Sequence, residues 1–366
     1  MRIALTGLVA LAVAMGIGRF AFTPLLPMMQ ADAGLTLAQG GWLASANYAG
    51  YLIGALTASR TLLGVRGGLV AIAVTTFAMA PFQQFEYWVV MRLLAGIASA
   101  WVLVQVSAWT LARLEQLGQP RLAGVVFAGV GSGIVVAGLL CLALMAQHAQ
   151  SMHAWMTLGV VALVAALVVG PQFASAGISR VASPREGWNP QWWRLVAAYG
   201  AYGFGYIVPA TFLPAMARDL IGDPALFGWA WPVFGLAAAL STVALVRTAA
   251  GNRQVWIAAQ LAMALGVAAP VVIAGLPGIL LSALLVGGTF VVITMVAMRE
   301  ALAIAGAQAP RLMAVLTAAF ATGQIAGPIF VSLLAHAGWS SDKGLLIASA
   351  ALAASACALI ARRPAT

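Results

Sequence analysis

Apolar runs long enough to cross a lipid bilayer, about 20 residues each, recur from one end of this chain to the other. Twelve are expected, at 4–29, 38–59, 67–83, 87–112, 121–146, 153–172, 193–217, 226–248, 254–275, 278–302, 311–336 and 343–361. The third and sixth are the weakest. In hydrocarbon every backbone N–H and C=O must be satisfied within the protein, so runs of this length fold as helices. With 63% of residues hydrophobic and only 7% charged, the expected class is an all-α membrane protein of twelve transmembrane helices. Each run lies close to the next, which leaves no space for a soluble domain.

The net charge of +10 would suggest nucleic acid in a soluble protein. Its distribution reads instead as a topology signal. If the N-terminus is cytoplasmic and the spans alternate, Arg2, Arg60, Arg66, Arg113, Arg121, Arg180, Arg185, Arg194, Arg247, Arg253, Arg311, Arg362 and Arg363 all fall inside, and only Arg218 and Lys343 fall outside. That asymmetry follows the positive-inside rule and favours an even number of spans with both termini cytoplasmic. The opening run continues past Arg19 to Met29 without a small-residue cleavage site, so it reads as a retained helix and not a signal peptide. Cys141 and Cys357 fall inside spans without metal spacing, and both are expected as small core residues.

The halves resemble each other. At an offset of 187 residues Gly16 and Gly18 coincide with Gly203 and Gly205, Leu26-Pro27 with Leu213-Pro214, Met29 with Met216, Asp32 with Asp219, Gly41-Trp42 with Gly228-Trp229, and Arg60 with Arg247. Arg121-Leu122 returns as Arg311-Leu312 at a slightly larger offset. Two six-helix pseudo-repeats are expected: an N-terminal bundle at 1–172, a polar cytoplasmic linker at 173–192 and a C-terminal bundle at 193–366. Parallel repeats related by an axis along the membrane normal are the architecture of major facilitator carriers, in which substrate is held near mid-membrane.

Gly16-Ile-Gly-Arg19-Phe-Ala-Phe-Thr-Pro24-Leu-Leu-Pro27 and Gly41-Trp-Leu-Ala-Ser-Ala-Asn47-Tyr48-Ala-Gly50-Tyr51, with Gly129-Val-Gly131-Ser-Gly133 and Thr322-Gly323-Gln324-Ile-Ala-Gly327-Pro328, resemble the YbfB/YjiJ-type group of bacterial major facilitator transporters. The resemblance covers nearly the whole chain. It implies an inner-membrane, twelve-helix, alternating-access carrier and almost nothing about substrate. The superfamily's motif between helices 2 and 3 carries an aspartate. Here the stretch is Gly54-Ala-Leu-Thr-Ala-Ser59-Arg60-Thr-Leu-Leu-Gly64-Val-Arg66, without the acid. The inward gate is then expected to rest on Arg60 and Arg66 capping helix C-termini.

Arg19 lies deep in the first run. A guanidinium stays protonated, and its burial costs roughly 2.5–3.5 kcal/mol on insertion scales. By helical rise it lies roughly 21 Å into a core about 30 Å thick, and Arg92 lies roughly 8 Å from the far edge, which sets both at similar depth. The acids Asp32, Glu86, Glu115, Glu186, Asp219, Asp223, Glu300 and Asp342 all sit near span ends or in loops. Two cations at one level suit a carboxylate or phosphate, which a guanidinium grips bidentately. The alternatives are that Arg19 bonds carbonyls freed by Gly16, Gly18 or Pro24, and that Arg92 snorkels outward or pairs with Glu86. Tyr206 replaces Arg19 in the second repeat and shares a helix face with Tyr199 and Tyr202. Asn47, Tyr48, Tyr51, Gln105 and Gln324 are further candidates for substrate contact. Asp32, Arg60, Gly131, Gly133, Pro27 and Pro214 are read as gating or structural positions.

The sequence points to a secondary active transporter of a small organic anion, of carboxylate type, working by alternating access. The alternative is a proton-coupled exporter of drugs or amphipathic metabolites. No His/Asp/Ser cluster, metal spacing or Walker lysine supports catalysis, so neither catalytic residues, metal nor cofactor is expected. The expected partners are an anionic small molecule and membrane lipid, with a coupling proton left open and no nucleic acid. The chain is expected to be a monomer of the bacterial inner membrane.

Overall fold

The computed structural model describes residues 1–58, 60–61, 63–173, 188–220, 229–247, 250–336 and 339–360, with the side chains of 37, 211–220, 332, 335, 336 and 341 outside that description. Helix dominates, and no strand occurs among the described residues. The first run is one rod in three parts: α1 (Arg2–Leu11), a π-helical segment (Ala12–Phe20) and α2 (Phe22–Asp32). It is followed by α3 (Leu37–Thr57), α4 (Val65–Phe77), α5 (Phe85–Gln116), α6 (Ala123–Ala146) and α7 (Ser151–Val169). Then come α8 (Trp192–Leu220), α9 (Ala230–Ala244), α10 (Asn252–Val272), α11 (Leu276–Ala305), α12 (Ala309–His336) and α13 (Ser341–Ile360). Eight stretches of the described residues are helical, long and apolar enough to cross a membrane; one of them, Leu276–Val331, runs through both α11 and α12.

Local chemistry explains several ends. Thr36 and Gln39 close a capping box at the start of α3, the Thr36 N–H donating to Gln39 Oε1 at 3.0 Å and the Gln39 N–H to Thr36 Oγ1 at 3.2 Å. Two of the orphan amides of a helix start are satisfied in this way. Gly34 makes the preceding turn at φ +64°, a left-handed conformation that glycine adopts without steric cost. Asp32, the last residue of α2, accepts hydrogen bonds from the backbone N–H and the hydroxyl of Ser151. Because Ser151 opens α7, a carboxylate from the first rod caps another helix's N-terminus, where the dipole favours negative charge. Asp219 lies among the side chains outside the description.

The chain divides into two compact units, Met1–Ala182 with Asp223–Arg247, and Ser183–Gly222 with Thr248–Thr366. In the first, α3 packs on α5, α4 on α7, and the first rod on α6. In the second, α8 packs on α12, α10 on α11 and α10 on α13. First-on-fifth and third-on-sixth packing thus occurs in each unit, as an internal repeat requires. The glycines make the parallel specific. A Cβ on Gly133 of α6 would stand 2.8 Å from the Gly16 Cα, and one on Gly323 of α12 would stand 3.1 Å from the Gly203 carbonyl carbon. A glycine–glycine crossing therefore pins each pair, small residues letting backbones meet where no hydrophobic effect separates lipid from Leu.

Helix α6 uses its glycines on two faces. Gly129 and Gly133 meet the first rod at Leu8 and Ala12, whereas Gly124, Gly131 and Gly138, seven residues apart, meet Thr242, Gly235 and Pro232 of α9. The sequence suggested one surface for Gly129, Gly131 and Gly133; the structure divides it. Helix α7 buries Trp155, Leu158, Ala162 and Ala166 while leaving Val164, Leu167 and Val168 exposed. An apolar face of that size would be a liability in water and is the expected outer surface in lipid.

Two expectations need correction. Arg66 lies in the first turn of α4, not at a helix C-terminus, so the dipole does not favour its charge there; its aliphatic stem packs against Gly170 instead. Arg60 does sit just past the end of α3, and is exposed. Ser59, in the place of the superfamily acid, lies outside the described residues. Glu300 of α11 pairs with Arg253 of α10, at 3.2 Å. Cys141 is buried as expected, but Cys357 is exposed, because it lies on the outer side of α13, opposite Leu352, Ala356 and Leu359.

Replacing Gly133 with Ala should lower the melting temperature of the detergent-purified protein by about 3 °C or more, since overpacking costs roughly 1–3 kcal/mol. Gly288→Ala, where a Cβ meets nothing within 4 Å, should leave it unchanged or raise it. Asp32→Ala should cost about 1 kcal/mol, the usual worth of a helix cap, read as a shift in the chemical-denaturation midpoint.

Candidate site on the π-helical segment of the first rod

A π-helix widens the backbone and is rare beyond a single turn; where it occurs it often marks a functional site. Here it covers nine residues, Ala12–Phe20. The sequence allows it: Gly16 and Gly18 tolerate close neighbours, and Pro24 supplies no N–H to the carbonyls four and five residues upstream, those of Phe20 and Arg19. Carbonyls at the end of the segment accept from other helices.

Arg92 of α5 is one donor. Its Nη1 donates to the Gly18 carbonyl at 3.3 Å and its Nη2 to the Arg19 carbonyl at 3.2 Å. Asn47 of α3 is another, its Nδ2 donating to the Gly18 carbonyl at 3.4 Å and to the Arg92 carbonyl at 3.0 Å. The Arg92 guanidinium also lies over the Phe22 ring, 4.8 Å from its centroid. Bonding to freed carbonyls, the alternative weighed for Arg19, is seen here for Arg92. Arg92 neither snorkels nor pairs with Glu86, and it is 3% exposed.

Arg19 itself is 4% exposed. Its guanidinium carbon stands 3.8 Å from the Tyr51 ring centroid, with the rings of Phe20 at 5.4 Å and Tyr48 at 5.8 Å. Cation–π contact of this kind is worth about 2 kcal/mol when desolvated. It stabilises the cation without cancelling its charge. Tyr51 is fixed beneath by its hydroxyl on the Met15 sulfur at 4.0 Å. Ser99, fully buried on α5, brings its hydroxyl to 2.6 Å from where a Gly18 Cβ would be. The sequence reading missed it. The available signal was the spacing Arg92, Gly96, Ser99, one face of α5 at helical intervals, with Gly96 admitting the α3 backbone at Asn47.

The other candidates lie elsewhere. Gln105 is 13 residues beyond Arg92 on α5, roughly 20 Å along the axis, and donates to the Leu63 carbonyl at 3.1 Å. It is not part of this cluster. In the second unit the Tyr202 hydroxyl donates to the Phe290 carbonyl at 2.6 Å and lies 3.3 Å from Thr294 Oγ1. Tyr206 stacks on Phe290 at 5.3 Å, and Phe320 packs against Tyr199, Tyr202 and Tyr206. Gln324 is buried at 1% exposure. Pro27 lies inside α2, and Pro214 inside α8 with its side chain outside the description. No group of three or more His, Cys, Asp or Glu residues that could hold a metal occurs among the described residues.

The family model described as uncharacterised MFS-type transporter YbfB matches residues 11–361. No curated protein matches the chain. Among solved structures, the fold is similar to the crystal structure of the human organic anion transporter MFSD10 (TETRAN), with a TM-score of 0.72, 17% identity and 98% of each chain covered. At that identity the likeness speaks for the fold alone. With nearly its whole length matched, this chain belongs to the YbfB-type family of major facilitator transporters.

Proposed function

We propose that the chain is a secondary active transporter that moves a small organic anion, of carboxylate type, across the bacterial inner membrane by alternating access. One observation carries this reading: a buried guanidinium, Arg19, held against the face of Tyr51 in an irregular segment of the first rod. A second cation, Arg92, bonds the carbonyl of that same residue, so the region is strongly positive, and an anion offsets its electrostatic cost. Two of the acids are engaged elsewhere, Asp32 capping α7 and Glu300 pairing with Arg253. On this reading the twelve runs all cross the membrane, 1–172 and 193–366 are the two bundles joined by 173–192, both termini are cytoplasmic and the carrier is a monomer. The rings of Tyr199, Tyr202, Tyr206, Phe290 and Phe320 favour the second reading, an exporter of drugs or amphipathic metabolites.

A thermal-stability screen of the purified protein against carboxylates, organophosphates, sugars and cationic drugs separates the two. A ligand at 100 times its Kd stabilises the folded state by about 2.7 kcal/mol, or roughly 5 °C or more for a protein of this size. A carboxylate should produce that shift in the wild type, a smaller one in Arg19→Lys and none in Arg19→Ala. If anions do nothing while neutral or cationic compounds shift wild type and Arg19→Ala equally, Arg19 is structural and the exporter reading takes its place. For topology, green fluorescent protein fused after Thr366 should fluoresce, and alkaline phosphatase fused after Gly34 should be active.

A further inference from the structure

The sequence set Arg19 and Arg92 side by side as anion ligands, but their surroundings in the structure differ. The guanidinium of Arg19 rests on aromatic faces. Both terminal nitrogens of Arg92 donate to backbone carbonyls of the first rod, so the end-on fork between them is committed to backbone, while the buried Nε makes no bond. Asn47 closes the arrangement into a ring. Its amide donates to the Gly18 carbonyl, which Arg92 also binds, and to the carbonyl of Arg92 itself. Three elements, α3, α5 and the π segment, are joined at this point, and all the bonded atoms are buried.

We propose that Arg92 is a positioning residue for the anion site and not a ligand in it. It holds the π-helical segment open at Gly18 and Arg19, and thereby keeps the Arg19 side chain against Tyr51. The chemistry suits the task. Two adjacent carbonyls here accept from two donors at a fixed spacing, which the planar guanidinium supplies and an ammonium on a flexible stem does not. Asn47 is the second support of the same strut. Were the segment to close into regular α-helix, a residue's worth of winding, about 100°, would carry Arg19 off the Tyr51 face. This inference rests on the anion reading for what Arg19 binds, but not for what Arg92 holds.

Hydrogen–deuterium exchange of the full-length protein in detergent, read by mass spectrometry over peptides spanning 12–25, tests the strut without any ligand. Arg92→Met should raise exchange there by on the order of tenfold relative to wild type, with peptides of α10–α13 unchanged. Asn47→Ala, which keeps both guanidinium groups, should do the same to a smaller extent and remains informative if Arg92→Met does not fold. Arg19→Met should leave exchange in the segment at the wild-type level. In parallel, benzoate as a probe carboxylate should stabilise the wild type and neither Arg19→Met nor Arg92→Met, with Arg92→Lys weaker by roughly 10–100-fold in apparent Kd, the usual penalty for a misplaced binding group. Wild-type exchange over 12–25 in both Arg92→Met and Asn47→Ala would overturn the positioning role, whatever benzoate does. Raised exchange with no benzoate response in any protein would uphold the strut and count against the anion reading instead.

Discussion

A backbone carbonyl in the middle of a bilayer has no water to turn to, and the first rod of this protein creates several at one place. The π segment at Ala12–Phe20 loosens the helical ladder just where Pro24 withholds an N–H, and the guanidinium of Arg92 bonds two carbonyls at its end. Much of the first unit is arranged around that requirement. Asn47 is turned inward on α3 to share the Gly18 carbonyl. Gly96 on α5 lets the α3 backbone come close enough for it to do so, and Phe22 offers its ring face to the guanidinium. The Gly16–Gly133 crossing holds the same segment from the other side. An unusual backbone therefore survives because the neighbouring helices over-determine it.

The two arginines are held by different contacts, and Arg92 is not paired with Glu86 as the sequence allowed. Ring faces stabilise Arg19, and carbonyl dipoles stabilise Arg92. Neither kind of contact removes the charge it stabilises. The second unit, by contrast, presents tyrosine and phenylalanine rings where the first has cations, although both units are built on the same first-on-fifth helix crossing. Repetition settles the scaffold, while the side chains at equivalent positions carry the difference.

Much of this was legible in the amino-acid chain. The apolar runs gave the helices, because length and hydropathy alone decide what hydrocarbon will accept. The repeated glycines marked the crossings: Gly16 with Gly133 and Gly203 with Gly323 are the same joint twice. Arg19 was visible as an anomaly of depth. The role of Arg92 was not, since nothing in the residue order announces a π-helix, and without one its carbonyl partners would be occupied. The placing of Gln105 failed for a simpler reason: polarity on an inward face does not specify depth, and 13 residues of helix put it at the far end from Arg92. Arg66 was misjudged because a boundary error of a few residues turns a helix end into a helix start. The grouping of α9 with α6 was equally hidden, although Gly124, Gly131 and Gly138 at heptad spacing carry its imprint.

The two thiols differ in a way that bears on how this molecule can be studied. Cys141 is shut inside the first unit by its own helix neighbours, whereas Cys357 stands on the open flank of α13 among side chains that face the hydrocarbon. A membrane-permeant maleimide would reach the second and not the first. The native protein is thus already a single-attachment scaffold, and a fluorophore placed there would report on the second unit and the lipid around it without any engineered cysteine.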